Sequence, residues 1–407
     1  MIRSDRGSAI VIGGSMGGVF AALLLRRAGW RVDVFERAAD LAGRGAGIVS
    51  HDELACALRL AGVDPDDSLG VHVTRRRAFA LDGSVVGERH HPQTVTSWDR
   101  LHGLLRQALP DEHYHPAADL RHVEPLADGV AAVFQDGRRM EADILVGADG
   151  FRSTVRGQFW PQVQPEYAGY VGWRGLVPEA ALIDALGPGF ADCFGFYLAP
   201  RQQIVGYPVA GIGNDLRPGH RRYNFVWYRP ARSEDELPDL LTDATGRLHA
   251  VSIAPPLIRP EVTARLRADA ETALCPQFRA VLRATPEPFF QPIYDIASER
   301  LVAGRVALIG DAAFVARPHV GAGVTKAAED AVALVRTLTA ASDIASGLAA
   351  YERDRLATGL RVVNWGRRLG TYLAPGHVPA DFRERFAGEP TAEAFMSESA
   401  SLAFLAA

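Results

Sequence analysis

Among the 44 lysine and arginine residues of this 407-residue chain, one, Lys326, is lysine. A GC-rich coding sequence explains that bias as readily as function does, so no activity is read from it. Cysteine is almost as scarce. Cys56, Cys193 and Cys275 are odd in number and far apart, which excludes a readable disulfide framework or zinc site and suits a reducing, cytoplasmic compartment. The pairs His90-His91 and His113/His115 bring no third ligand at metal spacing, so no metal is expected. No apolar run approaches the roughly 18 residues of a membrane helix. The opening MIRSDRGSAIVIGG has no long apolar region before its glycines and does not read as a secretory leader. Internal repeats, low-complexity tracts and blocks of like charge are also absent. With a net charge of -4, the chain lacks the basic surface that nucleic acid demands.

What is present is the composition of a globular protein, 48% hydrophobic and 23% charged, in a chain too long for one core. Two domains are expected. Ser8 to Ile12 reads as a buried strand, Val19 to Ala28 as a helix stopped by Gly29, and Arg31 to Phe35 as a second strand. A right-handed crossover makes those strands parallel. From about 71 to 95 the pattern turns to β alternation, and Trp98 to Leu109 is helical. A hairpin and a further strand end follow near 130–148. Strands at 169–177, 194–198, 203–209 and 222–228 indicate an antiparallel or mixed sheet of another domain type. Residues 238–282 read as helical, 305–309 as a buried strand and 323–339 as a helix. The fold class is therefore α/β: a discontinuous Rossmann-like domain from residues 1–70, 96–165 and 293–375, and a second, helix-covered sheet domain from 71–95 and 166–292. Residues 376–407 read as a loose tail or a partner contact.

Three motifs carry chemistry. In the first, Gly13 makes a tight turn and Gly18 lets the helix approach the strand, while Glu36 lies 23 residues after Gly13 at the end of the second strand. A helix start offers free N–H groups to a pyrophosphate, and a carboxylate there can accept from a ribose hydroxyl. Ser15 replaces the middle glycine of G-x-G-x-x-G. The second motif runs from Gly147 to Arg156. Asp149 orders its turn, Gly150 allows close approach, and Ser153 and Arg156 are expected to face a phosphate. The third is Gly310-Asp311, followed by Arg317-Pro318-His319-Val320-Gly321-Ala322-Gly323. Here Asp311 can hold a polyol, Pro318 forms a rigid wall, and Gly321 and Gly323 expose N–H groups at a helix start.

Together these motifs resemble the group A FAD-dependent aromatic monooxygenases, the para-hydroxybenzoate hydroxylase family, over roughly residues 8–370. YAGYVGWRG (167–175), VGYP (205–208) and ARPH (316–319) resemble its 2,6-dihydroxypyridine 3-monooxygenase branch. The resemblance implies that Gly13, Ser15, Met16, Gly18, Glu36, Arg37, Gly47, Asp149, Arg156, Asp311, Pro318, Gly321, Gly323 and Val324 contact FAD. It implies NADH or NADPH as co-substrate, bound without a Rossmann domain of its own. It also implies oxygen transfer from a flavin C4a-hydroperoxide to an electron-rich ring. Trp98 stands where the family has arginine, with Arg100 nearby, and Thr325 stands where many members have asparagine.

The substrate-side candidates are His51, Tyr207 and His319, with Trp227 on the sheet and Arg174 after Trp173. The expected partners are a small aromatic substrate and O2, with neither nucleic acid nor membrane, for a monomer or homodimer. Alternatives remain: a related tailoring oxidase, epoxidase or decarboxylating hydroxylase, a NAD-dependent dehydrogenase, or an FAD-binding protein without turnover. A halogenase is disfavoured, because the W-x-W-x-I-P signature is missing.

Overall fold

Strand β1 (Ser8–Ile12) is buried along nearly its whole length, the pattern of a strand covered on both faces. Helix α1 (Met16–Arg27) begins three residues before the apolar run at Val19, because Gly17 and Gly18 continue the helix from its N-cap at Ser15. It returns the chain to β2 (Arg31–Phe35), parallel to β1. The structure, a computed structural model, describes residues 6–41, 47–186, 189–377 and 391–405.

Next come β3 (Gly47–Ser50), α2 (Asp52–Ala61), β4 (Val71–Phe79), β5 (Val85–Ser97) and α3 (Trp98–Ala108). They are followed by β6 (Tyr114–His115), β7 (Leu120–Pro125), β8 (Val130–Phe134), β9 (Arg139–Ala142), β10 (Ile144–Gly147) and α4 (Thr154–Phe159). The central stretch holds β11 (Glu166–Pro178), α5 (Glu179–Leu186), β12 (Phe194–Ala199), β13 (Gln202–Val209), β14 (Arg222–Pro230), α6 (Glu236–Leu241), α7 (Pro260–Ala273) and α8 (Pro276–Ala284). The chain closes with β15 (Phe289–Ala297), β16 (Val302–Ala303), β17 (Val306–Leu308), β18 (Phe314–Val315), α9 (Gly323–Ala340), α10 (Ile344–Gly370) and α11 (Ala392–Glu398).

One sheet runs β16-β17-β10-β1-β2-β6, so its strands come from residues 8–35, 114–147 and 302–308. The chain leaves this sheet, builds the second and returns. Helices α1 and α9 pack together against it. The second sheet runs β18-β15-β11-β14-β13-β12-β4-β5-β3. Its pairs are antiparallel except β4 with β12, which are parallel. Helices α7 and α8 cover one face through Val262, Leu266, Phe278 and Val281. A small sheet, β7-β8-β9, completes the hairpin region.

Three expectations need correction. Residues 47–50, placed with 1–70, instead extend the second sheet by antiparallel pairing with β5. Residues 238–282 are not one helical region: Gly246, at φ +81, and the prolines 255, 256 and 260 divide α6 from α7. The second sheet is mixed, as expected, through the single parallel pairing of β4 with β12. The stretch 376–407 is no loose tail where it is described, since α11 buries Phe395 and Met396 in the core of the second sheet. Among the described residues, no helix is long and apolar enough to cross a membrane.

The glycine turn is the tightest point of this packing. A Cβ on Gly18 would lie 1.8 Å from the Gly13 carbonyl oxygen, whereas one on Gly17 would first meet the Ala327 methyl at 3.5 Å. Gly18→Ala is therefore expected to destabilise the apoprotein by at least about 2 kcal/mol. Gly17→Ala should be neutral or gain up to ~1 kcal/mol of helix propensity. Urea unfolding of both variants checks this, and equal midpoints would refute it.

Candidate active site

Strands β17, β10 and β1 lie side by side and parallel, so the loops at their C-terminal ends meet, where open α/β sheets bind ligands. Gly13, at φ +107, has no room for a side chain: its Cβ would sit 2.3 Å from the Ala148 carbonyl oxygen. The Ile309 N–H donates to the Gly147 carbonyl at 3.0 Å. The first motif thus abuts the second, and the second abuts the third.

At the first loop, Glu36 is buried and accepts from the N–H groups of Gly14 (2.7 Å) and Ala38 (2.8 Å). A carboxylate has further lone pairs, so it can serve a ribose as well. Ser15 caps α1 without a side-chain hydrogen bond, and no acid lies in the helix's first turn. Its N–H groups are therefore open to an anion. Met16 is buried at the helix start, and Arg37 is exposed beside Glu36. His102 meets the Gly14 carbonyl at 2.9 Å, held by Trp98 stacked on its ring at 4.4 Å. Arg100 instead donates to Ser68 Oγ at 2.6 Å. At this turn the Trp98–His102 pair, not Arg100, stands beside the glycines.

At the second loop, Asp149 accepts from Ser153 Oγ (2.5 Å) and the Val155 N–H (3.1 Å). Burial raises its carboxyl above the usual range, and these hydrogen bonds offset part of that. Arg156 corrects an expectation. Its guanidinium does not reach toward a phosphate but donates to the carbonyls of Phe151 (2.6 Å) and Ala312 (3.0 Å), lacing the second loop to the third. Ser153 likewise caps α4 through the Arg156 N–H.

At the third loop, Lys326 is buried and donates to the Gly310 carbonyl (2.8 Å) and Asp330 (3.2 Å). Asp330 also accepts from the Gly310 N–H and from Arg355. Burial pushes this carboxyl up, but Lys326 and Arg355 outweigh it and hold it low. Asp311 is left with its side chain facing a cavity of about 400 Å3. Surrounding protein raises its carboxyl, with Asp330 adding to the effect and Lys326 and Arg156 opposing it. Pro318, Gly321, Gly323 and Val324 line the same cavity. The N-cap of α9 is Ala322, which cannot cap, and its first turn holds no acid, so a second helix start is open to negative charge.

The facing wall is the second sheet, with Phe194, Phe196, Val205, Tyr207, Val226 and Tyr228. Gly47 closes one corner. Its carbonyl accepts from Tyr207 Oη at 3.0 Å, and a Cβ there would strike the Tyr207 ring. Tyr207 stacks on Phe194 at 4.6 Å, and burial pushes its phenol up to about 12. With its hydroxyl committed to Gly47, it is no proton acceptor near neutrality. Trp227, expected to roof the pocket, is wholly buried on the opposite side of the sheet, in the core under α7 and α8.

His51 hydrogen-bonds Thr325 Oγ1 through Nδ1 at 3.0 Å, and burial lowers its pKa. It does not line the cavity. His319 does: it is buried, with Nε2 2.8 Å from Tyr170 Oη and Nδ1 without a protein partner. Burial, with Arg317 and Arg174 nearby, pushes His319 down to about 3. It is therefore neutral and orients through hydrogen bonds. Its neighbour Arg317 is fixed by Asp295, both being at most 2% exposed. Among the described residues, no group of three or more histidine, cysteine or acidic side chains is placed to hold a metal ion.

Residues 11–62 match the family described as NAD(P)-binding Rossmann-like domain, 167–295 the one described as FAD binding domain-like, and 290–366 the one described as FAD binding domain. Over 367 residues the chain is 34% identical to 2,6-dihydroxypyridine 3-monooxygenase of Paenarthrobacter nicotinovorans, spanning 90% of this chain and 91% of that one. The chain belongs to the FAD-dependent aromatic monooxygenases. Its fold is similar to the solved structure of 2,6-dihydroxypyridine-3-hydroxylase from Arthrobacter nicotinovorans, with a TM-score of 0.85 at 32% identity over 95% of this chain and 99% of that one. It is also 29% identical to 3-amino-4-hydroxybenzoate 2-monooxygenase of Streptomyces cremeus, over 94% and 92% of the two chains.

Sequence reasoning missed several parts of this monooxygenase's site. The Arg317–Asp295 pair joins residues 22 apart, and no local pattern announces it. Lys326 did leave a signal: the only lysine in the chain sits four residues before Asp330. Tyr170, inside the quoted YAGYVGWRG, was not singled out as the partner of His319.

The depressed His319 gives a pH signature. The unfolded chain takes up its proton below about pH 6.5 and the folded chain only near 3, so acid favours unfolding in that window. Between pH 6 and 4, His319→Gln should flatten the fall in stability by up to about 1.4 kcal/mol per pH unit. Denaturant midpoints measured at several pH values test this. Parallel curves for variant and wild type would mean that His319 is not buried in neutral form.

Proposed function

We propose that this monooxygenase hydroxylates a small, acidic, electron-rich ring, of the hydroxypyridine or hydroxybenzoate type, with NAD(P)H and O2. Its membership of the family gives the reaction class, so a tailoring oxidase, an epoxidase or a flavin protein without turnover is not favoured. One observation carries the substrate class. Arg174 lines the cavity half-buried, its Nε has no partner, and among the described residues no carboxylate pairs with it. An unpaired guanidinium beside Phe194, Tyr207 and Tyr228 is costly unless a ligand supplies the anion. Its planar fork suits a ring carboxylate or an ionised ring hydroxyl. Relatives named for 2,6-dihydroxypyridine and 3-amino-4-hydroxybenzoate, both acidic rings, support the same reading.

The residues fit a flavin dinucleotide: two uncapped helix starts and one cavity-facing carboxylate lie along a single sheet edge. Gly13 to Gly18 and the start of α1 would hold the pyrophosphate, Glu36 a ribose, Asp311 the polyol, and Gly321 to Val324 an electron-rich ring edge. When FAD is bound, the chemistry it supplies is reduction by NAD(P)H and activation of O2 for insertion of one oxygen atom into the ring. Arg174 would then hold the substrate's anionic oxygen, His319 would orient it, and the aromatic wall would exclude water. Glycine turns and acidic partner occur once, so the nicotinamide donor would bind transiently. The three free thiols, two of them buried, suit a reducing cytoplasm. We place the protein there as a monomer or homodimer.

Stopped-flow absorbance with NAD(P)H and then O2, with and without 2,6-dihydroxypyridine or hydroxybenzoates, tests the reading. An acidic ring should speed flavin reduction and appear hydroxylated; if no ring compound changes the reduction rate, the proposal fails. Arg174→Gln should keep FAD but lose about 1.5–3 kcal/mol of ring binding, roughly 10- to 150-fold in affinity. An equal loss toward neutral rings would count against charge recognition.

A further inference from the structure

Arg76, on β4, is wholly buried, and among the described residues no carboxylate pairs with it. Neutral oxygens engage all five of its N–H donors. Gln93 Oε1 accepts from Nε (3.2 Å) and Nη2 (2.5 Å). The carbonyls of Met396 (2.6 Å) and Ser399 (2.7 Å) accept from Nη1, and that of Ala400 (3.3 Å) from Nη2. Of these four acceptor oxygens, three come from the other end of the chain. A buried cation tolerates this only when its acceptors stay in place, so Arg76 ties residues 396–400 to β4.

The segment is held at a particular place. The Ala400 N–H donates to the His319 carbonyl at 2.9 Å, and Ala400 itself takes φ +48, a left-handed conformation that a residue with a Cβ adopts only under constraint. A Cβ added to Gly321 would lie 2.7 Å from that of Ala400, so the segment abuts the turn that opens α9. Behind it, Phe404 stacks on Trp365 at 4.8 Å, and Arg368 pairs with Glu398 at 3.0 Å. Ser399 and Ala400 line the cavity. Ser399 is 4% exposed, and its hydroxyl has no partner in the protein. Ser399 lines the cavity, and a buried hydroxyl left without a partner costs free energy that a hydrogen bond from a bound molecule would recover.

We infer that the C-terminal segment is part of the substrate pocket: Ser399 hydrogen-bonds the bound ring, and Arg76 is the positioning residue that holds it there. This rests on the proposed reading only in taking the occupant to be an acidic ring. Ser399 is a site residue on a different element from every substrate-side candidate named above. Arg76 acts through the backbone of 396–400 and touches no ligand.

The test uses full-length, FAD-loaded protein: wild type, Ser399→Ala, Arg76→Met and the double variant. FAD affinity is read by flavin fluorescence. Ring affinity is read from the change in flavin absorbance on titration with 2,6-dihydroxypyridine and 3-amino-4-hydroxybenzoate. We expect Ser399→Ala to hold FAD within about twofold of wild type and to bind the better ring about 5- to 10-fold more weakly, one hydrogen bond's worth. Arg76→Met should lose at least as much. The double variant should be no worse than Arg76→Met, because both changes break one contact. Ser399→Ala decides the matter even if Arg76→Met misfolds. If wild type binds a ring and Ser399→Ala binds it equally well, this inference is overturned and the monooxygenase reading stands. Strictly additive losses would remove Arg76 from its positioning role and overturn that part. If no ring perturbs the wild-type flavin, the substrate reading fails and this inference falls with it.

Discussion

The parallel alignment of β17, β10 and β1 is the constraint on which the site depends. Three loops separated by well over a hundred residues become neighbours because the strands that feed them end at one sheet edge. The alignment tolerates no side chain at its centre, since Gly13 lies directly against the Ala148 carbonyl. Arg156 then fastens the second loop to the third by its carbonyls, and Lys326 does the same for the third loop and α9. A right-handed crossover and one glycine thus do most of the work of assembling a dinucleotide site from separate stretches. The second sheet adds a wall but no part of that alignment.

Burial of charge explains which groups are left for ligand. In a low-dielectric interior an ion needs a partner, and most buried ions here have one. Arg317 has Asp295, Arg221 has Glu179, and Lys326 and Arg355 share Asp330. Arg76 has neutral oxygens on every donor. Arg174 and Asp311 are different: both face the cavity, and among the described residues neither forms an ion pair. They differ in sign, and one stands on β11 of the second sheet, the other in the loop that follows β17 of the first. A flavin polyol meeting a carboxylate and an acidic ring meeting a guanidinium would resolve both at once.

The legible part of the protein was the part whose chemistry is local. Gly13, Gly18 and Glu36 could be read because a turn, a close approach and a strand end all occur within 24 residues. The strands of the second sheet were readable from aromatic and β-branched alternation, to within a few residues at their ends. Roles that depend on which atoms a long side chain meets were not legible. Arg156 looked like a phosphate ligand, because helical spacing cannot say that two carbonyls lie closer. Tyr207 looked like a substrate-side catalytic residue, yet Gly47, 160 positions away, takes its hydroxyl. The C-terminal segment was the largest miss. Its contacts with Arg76 span more than 300 residues, and its composition of alanine, serine and glutamate gives no sign of being held.

The state of the three substrate-side candidates changes how the substrate is activated. His319 is neutral, Tyr207 is tied to backbone, and His51 is turned to Thr325. His319 and Tyr207 offer no base poised near neutral pH, and His51 does not line the cavity. A cation within about 4–6 Å lowers the pKa of an acid by roughly 1–3 units. On the proposed reading Arg174 therefore shifts a ring hydroxyl toward its anion without a positioned base, and its proton leaves to solvent. Keeping His319 uncharged preserves this field, because a second cation on the wall would hold the anion too evenly to direct one ring position. The depressed pKa of His319 comes mainly from burial, with Arg317 and then Arg174 adding to it, so the pocket keeps one cation beside the substrate and a neutral histidine next to it.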